Sequence, residues 1–287
     1  MTVGLTTCKA IFKVKAPDFN VARHFMSKFM NKVLSRRANG PLLIGCPTGI
    51  NAVMQDHLKI DTERLTGSTE SHLVKWPDPA SAGNNLMVHG AVLEPLTVLC
   101  EQAAQQGFDL RLCSSFRSFD RQLKIWNDKI IGLRPVYDDS GARLDLTQLT
   151  EWQQVQAIMR WSALPGASRH HWGTDFDIYD AAAVDASYQI QLVPEEVEGD
   201  GVFAPLHDWL DASVLASCDF YRPYAEDRGG IAPERWHISY RPVADIYGAQ
   251  LTVEVLAERL ASAEILHRET VLAHLDELFQ RYILVEN

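Results

Sequence analysis

The sequence lacks the features that mark several classes of protein. Its five cysteines are scattered without a CxxC pair, so neither a disulfide framework nor a cysteine zinc site is indicated. No apolar run approaches the roughly 20 residues that span a bilayer. The formal net charge is -10, and the body of the chain has no basic stripe, which argues against a nucleic-acid partner. With 287 residues and 46% hydrophobic content, we expect a globular protein with a sizeable core and no transmembrane segment.

Basic residues are concentrated at the N terminus. Residues 1–40 contain eight Lys or Arg against the single acid Asp18. Residues 19–33 can line one side of a basic amphipathic helix, a pattern typical of membrane-surface or targeting segments. A secretory signal fits less well, because no uninterrupted apolar core is followed by a small-residue cleavage site. We predict that residues 1–53 form a separate extension, and a start codon upstream of Met54 is the alternative explanation.

Helical and strand patterns alternate along the rest of the chain. Apolar spacing, capping residues and turn residues predict helices at 94–106, after Ser118, and at 150–162, 205–217, 251–261 and 264–282. Alternation predicts strands at 109–116 and 176–179, and a short strand or turn at 219–224. Residues 61–85 have the composition of a loop, and residues 137–143 have turn chemistry suited to a hairpin or flap.

Two short stretches carry candidate metal ligands. His170 and Asp177 lie in a Gly-containing turn, and a catalytic zinc ion commonly takes three ligands of this kind and leaves a fourth position for water. His237 supplies a third ligand from a later stretch, and Glu234 lies close enough to it in sequence to act as a general base. Arg117 follows a predicted strand and is a candidate for binding an oxyanion or a substrate carboxylate.

Each of these residues has an ordinary structural explanation when it is taken alone. A single His near a turn is more often a satisfied structural residue than a ligand, and Arg117 can pair with a surface carboxylate. Gln122, in the first turns of the helix after Ser118, can simply be solvated. The joint occurrence of these residues is therefore the informative signal.

Taken together, SxHxxGxxxD from Ser168 to Asp177 and ExWH from Glu234 to His237 resemble the VanY-type D-alanyl-D-alanine carboxypeptidases. These are zinc peptidases of bacterial cell-wall metabolism that share a fold with the Hedgehog signalling domain. The resemblance covers roughly residues 84–240. It implies an α+β fold with an antiparallel central sheet flanked by helices, within a peptidase domain at 54–247. We expect residues 248–287 to add a C-terminal helical hairpin that serves packing or oligomer formation.

The resemblance also implies roles for individual residues. One zinc ion would be held by His170, Asp177 and His237, with Glu234 as the base. The family's upstream SGYRS…Q element is similar to residues 114–122 here. We therefore expect Arg117, Gln122 and Ser115, together with Ser168, to contact the substrate.

The departures from the family pattern define two open questions. Asp175 stands where the pattern usually has Ala, and it is either an orienting partner of a ligand or an alternative ligand. His171 is an extra imidazole beside His170, to which we assign hydrogen bonding rather than metal binding. Ser115 and Phe116 replace Gly and Tyr.

The expected activity is removal of the terminal D-alanine from peptidoglycan stem peptides or their precursors. L,D-carboxypeptidase, D,D-dipeptidase and endopeptidase activities on related peptides are the alternatives, and a non-catalytic zinc-binding module is the alternative of another class. The compartment stays open between cytoplasm and periplasm, because a cell-wall substrate points outward while no convincing secretory signal is present.

Overall fold

A computed structural model describes residues 59–77, 85–215 and 219–284. All of them belong to one compact unit, Gln55–Asn287. The expected extension at 1–53 lies outside the described residues, and the domain boundaries stay predictions. Within the described segments, no helix combines the length and the apolar character needed to cross a membrane.

The regular elements of the described segments are short strands and helices of one to four turns. The strands are β1 (Leu73–Lys75), β2 (Met87–His89), β3 (Leu110–Ser114), β4 (Asp175–Asp180), β5 (Phe220–Tyr221) and β6 (His237–Tyr240). The α-helices are α1 (Thr62–Leu65), α2 (Leu93–Gln105), α3 (Phe119–Ile130), α4 (Glu151–Met159), α5 (Pro194–Val197), α6 (Ala204–Trp209), α7 (Arg241–Gly248), α8 (Val253–Ala261), α9 (Arg268–Ala273) and α10 (Leu275–Leu278). Wider π-helical turns at Leu210–Val214 and Phe279–Ile283 extend α6 and α10.

Four strands form the central sheet in the order β3-β4-β6-β5, with every pair antiparallel. β1 and β2 form a separate antiparallel pair. The expected antiparallel sheet flanked by helices is confirmed, as are β3 as an edge strand and β4 as a central one.

One face of the sheet is apolar. Phe176, Ile178 and Ile238 are buried against Leu96 and Leu99 of α2. Each such side chain contributes about 1.5–3 kcal/mol by leaving water. Because side chains alternate across a strand, the residues between these apolar positions face the opposite side of the sheet. That side carries the polar groups of the candidate site.

Capping side chains define where two helices near the site begin. The Ser118 hydroxyl accepts a hydrogen bond from the Arg121 amide at the start of α3. Thr150 and Gln153 form a capping box at the start of α4. Such caps contribute about 1 kcal/mol each and fix the entry of the chain into the helix. The cap at Ser118 confirms the predicted helix start and sets the position of the residues just before it.

The C-terminal helices complete a second core. Leu256 and Leu260 of α8, together with Val271 and Leu275, are buried in the same cluster as Trp126 of α3. The C-terminal segment is helical as predicted, and its apolar faces are used within the chain. A role in oligomer formation stays a prediction.

Two predicted elements differ from the structure. The expected loop at 61–85 contains α1 and β1, and β1 pairs with β2 in the register Leu73 to His89. The single helix expected at 264–282 is broken at His274, whose φ of -114° and ψ of 17° depart from helical values. The His274 ring instead stacks on Trp152 with centroids 4.0 Å apart.

Candidate metal centre

The register of two central strands brings two candidate ligands together. Asp177 of β4 lies opposite His237 of β6, and Phe176 lies opposite Ile238 on the apolar face. The Oδ1 atom of Asp177 is 3.3 Å from Nδ1 of His237. Residues 60 positions apart in the chain therefore meet because the strands are antiparallel neighbours.

A tight turn before β4 brings in the third candidate. Residues Arg169–Trp172 form a single 3₁₀ turn that ends at Gly173, whose φ of +69° lies in the left-handed region. A Cβ at Gly173 would lie 2.8 Å from the amide nitrogen of His89, so the turn requires glycine for both conformation and space. The turn places Nε2 of His170 3.4 Å from Oδ2 of Asp177.

The three side chains form a compact and buried ligand set. One ligand atom each from His170, Asp177 and His237 lies within 4.8 Å of the others, and all three residues are buried. Nδ1 of His237 is buried and has no hydrogen-bond partner among the described residues. Two imidazole nitrogens and one carboxylate oxygen are ligands that zinc accepts in catalytic sites. The three residues therefore fit a zinc ion.

Each of the two histidines has a second ring nitrogen, which contacts a group outside the ligand set. Nδ1 of His170 lies 2.9 Å from the carbonyl oxygen of Ser115, and Nε2 of His237 lies 3.0 Å from Oδ1 of Asp175. Metal-ligating histidines characteristically donate their other N–H to a carbonyl or carboxylate in this way. The structure thus places Asp175 as an orienting partner of His237, outside the ligand set.

Arg169 balances the charge of Asp175. Its Nε atom donates to Oδ1 of Asp175 at 2.7 Å, and its Nη2 atom donates to Tyr221 and Ser239 at 2.8 Å. Arg169 and Asp175 are both buried. Burial alone would raise the pKa of Asp175, but Arg169 and the hydrogen bond from His237 hold it far below its usual value. Sequence reasoning missed Arg169, although it adjoins a predicted ligand.

The electrostatics of the cluster favour a positive charge at its centre. Burial would lower the pKa of His237, but the carboxylates of Asp175, Asp177 and Glu234 raise it well above its usual value. Burial likewise would raise the pKa of Asp177, whereas His170 and His237 bring it down to about 2. These carboxylates would stabilise a bound cation in the same way that they stabilise a protonated imidazole.

Glu234 lies beside the ligand set. Its Oε2 atom is 3.5 Å from Nδ1 of His237, and burial raises the pKa of its carboxyl group. Its amide donates to the carbonyl of Tyr224 at 2.9 Å. The next residue, Arg235, pairs with Asp208 and Asp211 at 2.6 and 2.7 Å. These contacts fix the loop that presents Glu234 to the metal cluster.

Arg117 is close enough to the cluster to act electrostatically on Asp177. Its Nη1 atom donates to Oε1 of Gln122 at 3.0 Å, and its Nη2 atom donates to Oγ of Ser114 at 3.3 Å. Gln122 is fully buried and donates in turn to the carbonyl of Ala163 at 2.7 Å. Both partners of the Arg117 side chain are neutral, so its charge is not cancelled by a carboxylate in direct contact.

Not every predicted site residue reaches the cavity. Ser168 lines it, as do Arg117, Glu234 and the metal cluster. Gln122 lies behind Arg117, and Ser115 is buried with its carbonyl under His170. Gln122 and Ser115 contact Arg117 and His170 and are not among the residues that line the cavity. Their predicted contact with a substrate stays a prediction.

His171 has the hydrogen-bonding role that we assigned to it. Its Nδ1 atom lies 2.6 Å from the carbonyl of Arg117, and its Nε2 atom accepts a hydrogen bond from the Gly166 amide at 3.1 Å. Burial lowers the pKa of His171 to about 3, so the ring is neutral. His171 thereby anchors the Arg117 backbone.

The metal cluster opens into a cavity of about 750 Å³. Residues 136–144 form a hairpin, which we call the flap, and its tip from Tyr137 to Gly141 lines this cavity. The opposite side is formed by residues 191–195, together with Trp161 and Trp236. Arg160 ties the flap to the loop before Glu234, because it donates to Asp139 at 2.6 Å and to Asp227 at 3.0 Å. A volume of this size is within the range of pockets that bind small ligands.

A known protein family matches the part of the chain that carries the metal cluster. The family profile of VanY, D-alanyl-D-alanine carboxypeptidase, matches residues 85–243. Two Haemophilus influenzae proteins, both described as uncharacterized, are similar: one is 46% identical over 107 residues, 37% of this chain and 72% of its own length. The other is 35% identical over 123 residues, 42% of this chain and 93% of its own.

Solved structures with similarity to this chain include two peptidases. VanYB in complex with D-Ala-D-Ala has a TM-score of 0.41 and 21% identity, covering 67% of this chain and 89% of its own. The LdcB LD-carboxypeptidase has a TM-score of 0.41 and 20% identity, covering 66% and 79%. The profile match extends from the start of β2 to the start of α7 and includes the ligand set, Glu234 and Arg117. The chain belongs to the VanY family of D-alanyl-D-alanine carboxypeptidases, a family of peptidoglycan-related peptidases.

Proposed function

We propose that this protein is a zinc-dependent carboxypeptidase that removes the terminal D-alanine from peptidoglycan stem peptides or their precursors. The observation that carries the proposal is the buried set of His170, Asp177 and His237, with Glu234 beside it and Arg117 lining the same cavity. A purely structural metal site would need neither Glu234 nor Arg117.

His170, Asp177 and His237 would hold one zinc ion. When bound, zinc supplies Lewis-acid chemistry, which lowers the pKa of water and polarises a carbonyl group. The Asp175 carboxylate and the Ser115 carbonyl hold the two imidazoles in the orientation that this task requires.

Glu234 would act first as the general base and then as the general acid. Its carboxylate would take a proton from the attacking water and deliver it to the leaving amine of the released amino acid. Burial raises the pKa of Glu234 and makes its carboxylate a stronger base than one in water. The contacts of the neighbouring Arg235 hold the loop in place, with Glu234 next to His237.

Arg117 favours a substrate with a free carboxylate. Arg169, the other arginine on the cavity, is committed to Asp175, whereas Arg117 bonds only to neutral Gln122 and Ser114. Its guanidinium can bind the terminal carboxylate of a peptide or the oxyanion that develops during hydrolysis. This is the feature that supports exopeptidase over endopeptidase activity.

The proposal is tested by incubating the zinc-loaded protein with synthetic stem pentapeptide ending in D-Ala-D-Ala and, separately, with stem tetrapeptide. Mass spectrometry of the products should show loss of a single alanine from the pentapeptide. Cleavage of the tetrapeptide alone would assign L,D specificity, and hydrolysis of free D-Ala-D-Ala with no cleavage of the pentapeptide would assign D,D-dipeptidase activity. No release from either peptide would refute the carboxypeptidase proposal.

A further inference from the structure

A second cavity lies on the other side of the flap. This groove, with a volume of about 410 Å³, is formed by residues 129–136 and 143–147. The flap separates it from the main cavity, since residues 137–141 line the main cavity and residues 143 and 144 line the groove. The end of α3 and the flap base therefore build a site next to the metal cluster.

The groove is cationic in a chain that is acidic overall. Three basic residues, Lys129, Arg134 and Arg143, line it against one acid, Asp145, while the chain as a whole carries a charge of -10. The carboxylate of Asp145 accepts hydrogen bonds from the amide and hydroxyl of Thr147 at 3.1 and 2.7 Å and keeps its charge, so three basic residues and one acid leave the lining with a formal charge of +2. The local excess of positive charge is thus concentrated on the groove.

Lys129 is the most informative of these residues. Lys129 is half-buried at the end of α3, and its ammonium group has no ion pair or hydrogen bond with any described residue. By contrast, its helix neighbour Lys124 pairs with Asp128 at 2.9 Å, and Arg134 lies 3.5 Å from the same carboxylate. Burial lowers the pKa of Lys129 to about 8, with a further contribution from Arg134. The ammonium group is thus partly desolvated and has no anionic partner, so an anion in the groove would stabilise it.

Lys129 also lies within electrostatic reach of the metal cluster's neighbours. Besides Arg134, the charges that act on it are those of Glu234 and Arg117, which both line the main cavity. The flap also links the two cavities, because its residues 137–141 line the main cavity and its residues 143 and 144 line the groove. A ligand in the groove would lie close to a peptide in the main cavity.

We propose that this groove binds an oxyanion, a phosphate or a carboxylate, through Lys129 and Arg143, and that it holds such a group of the substrate while the scissile bond lies in the main cavity. The second part of the statement rests on the proposed function. A phosphate would belong to a nucleotide-linked precursor, and a carboxylate would belong to an acidic residue of the stem peptide.

The test is titration of the full-length, zinc-loaded protein with inorganic phosphate and, separately, with glutarate, followed by ligand-observed NMR. The wild type should bind at least one of these probes, and Lys129→Gln should weaken that binding about 10-fold or more, the loss expected for one charge-assisted contact. Arg143→Gln, at an exposed position where the fold is not at risk, should weaken it as well. Lys75→Gln, which removes the same charge from an exposed position on β1, is the matched control and should bind like the wild type.

The outcomes separate the possible ligands and the two proposals. Binding of phosphate alone assigns the nucleotide-linked source, and binding of glutarate alone assigns the peptide carboxylate. No binding of either probe, or equal binding by the wild type and Lys129→Gln, would overturn the groove proposal. Lys129-dependent binding in a protein that cleaves no stem peptide would instead refute the proposed function and leave the groove as an oxyanion site.

Discussion

At the scale of single residues, two buried carboxylates on one strand have different tasks because their neighbours differ. Asp177 faces the two imidazoles and belongs to the ligand set. Asp175, two residues earlier on the same face, is neutralised by Arg169 and holds the outer nitrogen of His237. The pair shows how a family position that is usually Ala can carry a carboxylate here without entering the metal site.

We predict that Asp175→Asn weakens zinc binding about 10- to 100-fold, the usual cost of removing a partner that orients a ligating histidine. The amide keeps a hydrogen-bond acceptor but loses the charge that stabilises the His237 ring and pairs with Arg169. Zinc affinity is measured by competition with a chromophoric chelator. Asp185→Asn, on an exposed turn, is the control, and an unchanged affinity of Asp175→Asn would show that the carboxylate does not orient the ligand.

The site residues that could be predicted from the sequence belong to motifs with a recognisable spacing. His170, Asp177, Glu234 and His237 come together as expected. Arg169 could not be assigned, because its partners Tyr221 and Ser239 are 52 and 70 residues away in the chain. Nor could the sequence show that Gln122 and Ser115 lie behind the cavity surface, since a motif defines residue type and spacing but not depth.

At the scale of secondary-structure elements, the 3₁₀ turn at 169–172 determines the geometry of the centre. It packs Trp172 into the core, where its Nε1 atom donates to the carbonyl of Leu65 at 3.1 Å. Gly173 then reverses the chain into β4. A one-residue change in this turn would displace His170 relative to Asp177, because the two are joined by only six intervening residues.

We predict that Gly173→Ala lowers the free energy of unfolding by about 2 kcal/mol or more, because strain at positive φ adds to a clash with backbone atoms of β2. Gly132→Ala is the matched control. Gly132 has a φ of +78° but no atom within 4 Å of an added Cβ, so this variant should lose only about 1 kcal/mol. Urea denaturation measures both values, and equal losses would show that the close approach at Gly173 is unimportant.

Prediction of elements from the sequence succeeded where local signals were complete. The helix after Ser118 has a cap, an apolar stripe and a defined end, and it was placed correctly. β1 was missed because its residues Val74 and Lys75 are exposed and show no alternating burial, while its partner β2 lies beyond residues of loop composition. The break at His274 depends on stacking with Trp152, a contact that no local pattern contains.

At the scale of the whole molecule, the two faces of the sheet have different roles. One face of the sheet packs against α2 and α6, and the C-terminal helices complete a second core with α3 and α4. The polar face of the sheet, the flap and the loop before Glu234 are left to build the cavity. Arg117 and Lys129, neither of which has an ion pair with a described residue, lie just before the start and near the end of α3.

The buried charge of Lys129 predicts a pH dependence of stability. Folding lowers its pKa from 10.5 to about 8, so between these pH values the unfolded chain binds a proton that the folded chain releases. Stability therefore rises with pH across this window, by on the order of 1–3 kcal/mol. Lys129→Gln should be more stable than the wild type at pH 7.5, and this advantage should shrink by pH 10. Lys75→Gln should show no such change, and a constant advantage of Lys129→Gln would mean that its charge is solvated in the folded protein.

Zinc content and turnover of Glu234→Gln, measured on the same preparation, test whether Glu234 is the base of a zinc peptidase. We predict that this variant keeps about one zinc per chain, because the ligands are His170, Asp177 and His237, and that its hydrolysis of stem pentapeptide falls by about 100-fold or more. His237→Ala should lose zinc and activity together. Unchanged turnover in Glu234→Gln would contradict the assignment of the base, and loss of zinc from that variant would contradict the three-residue ligand set.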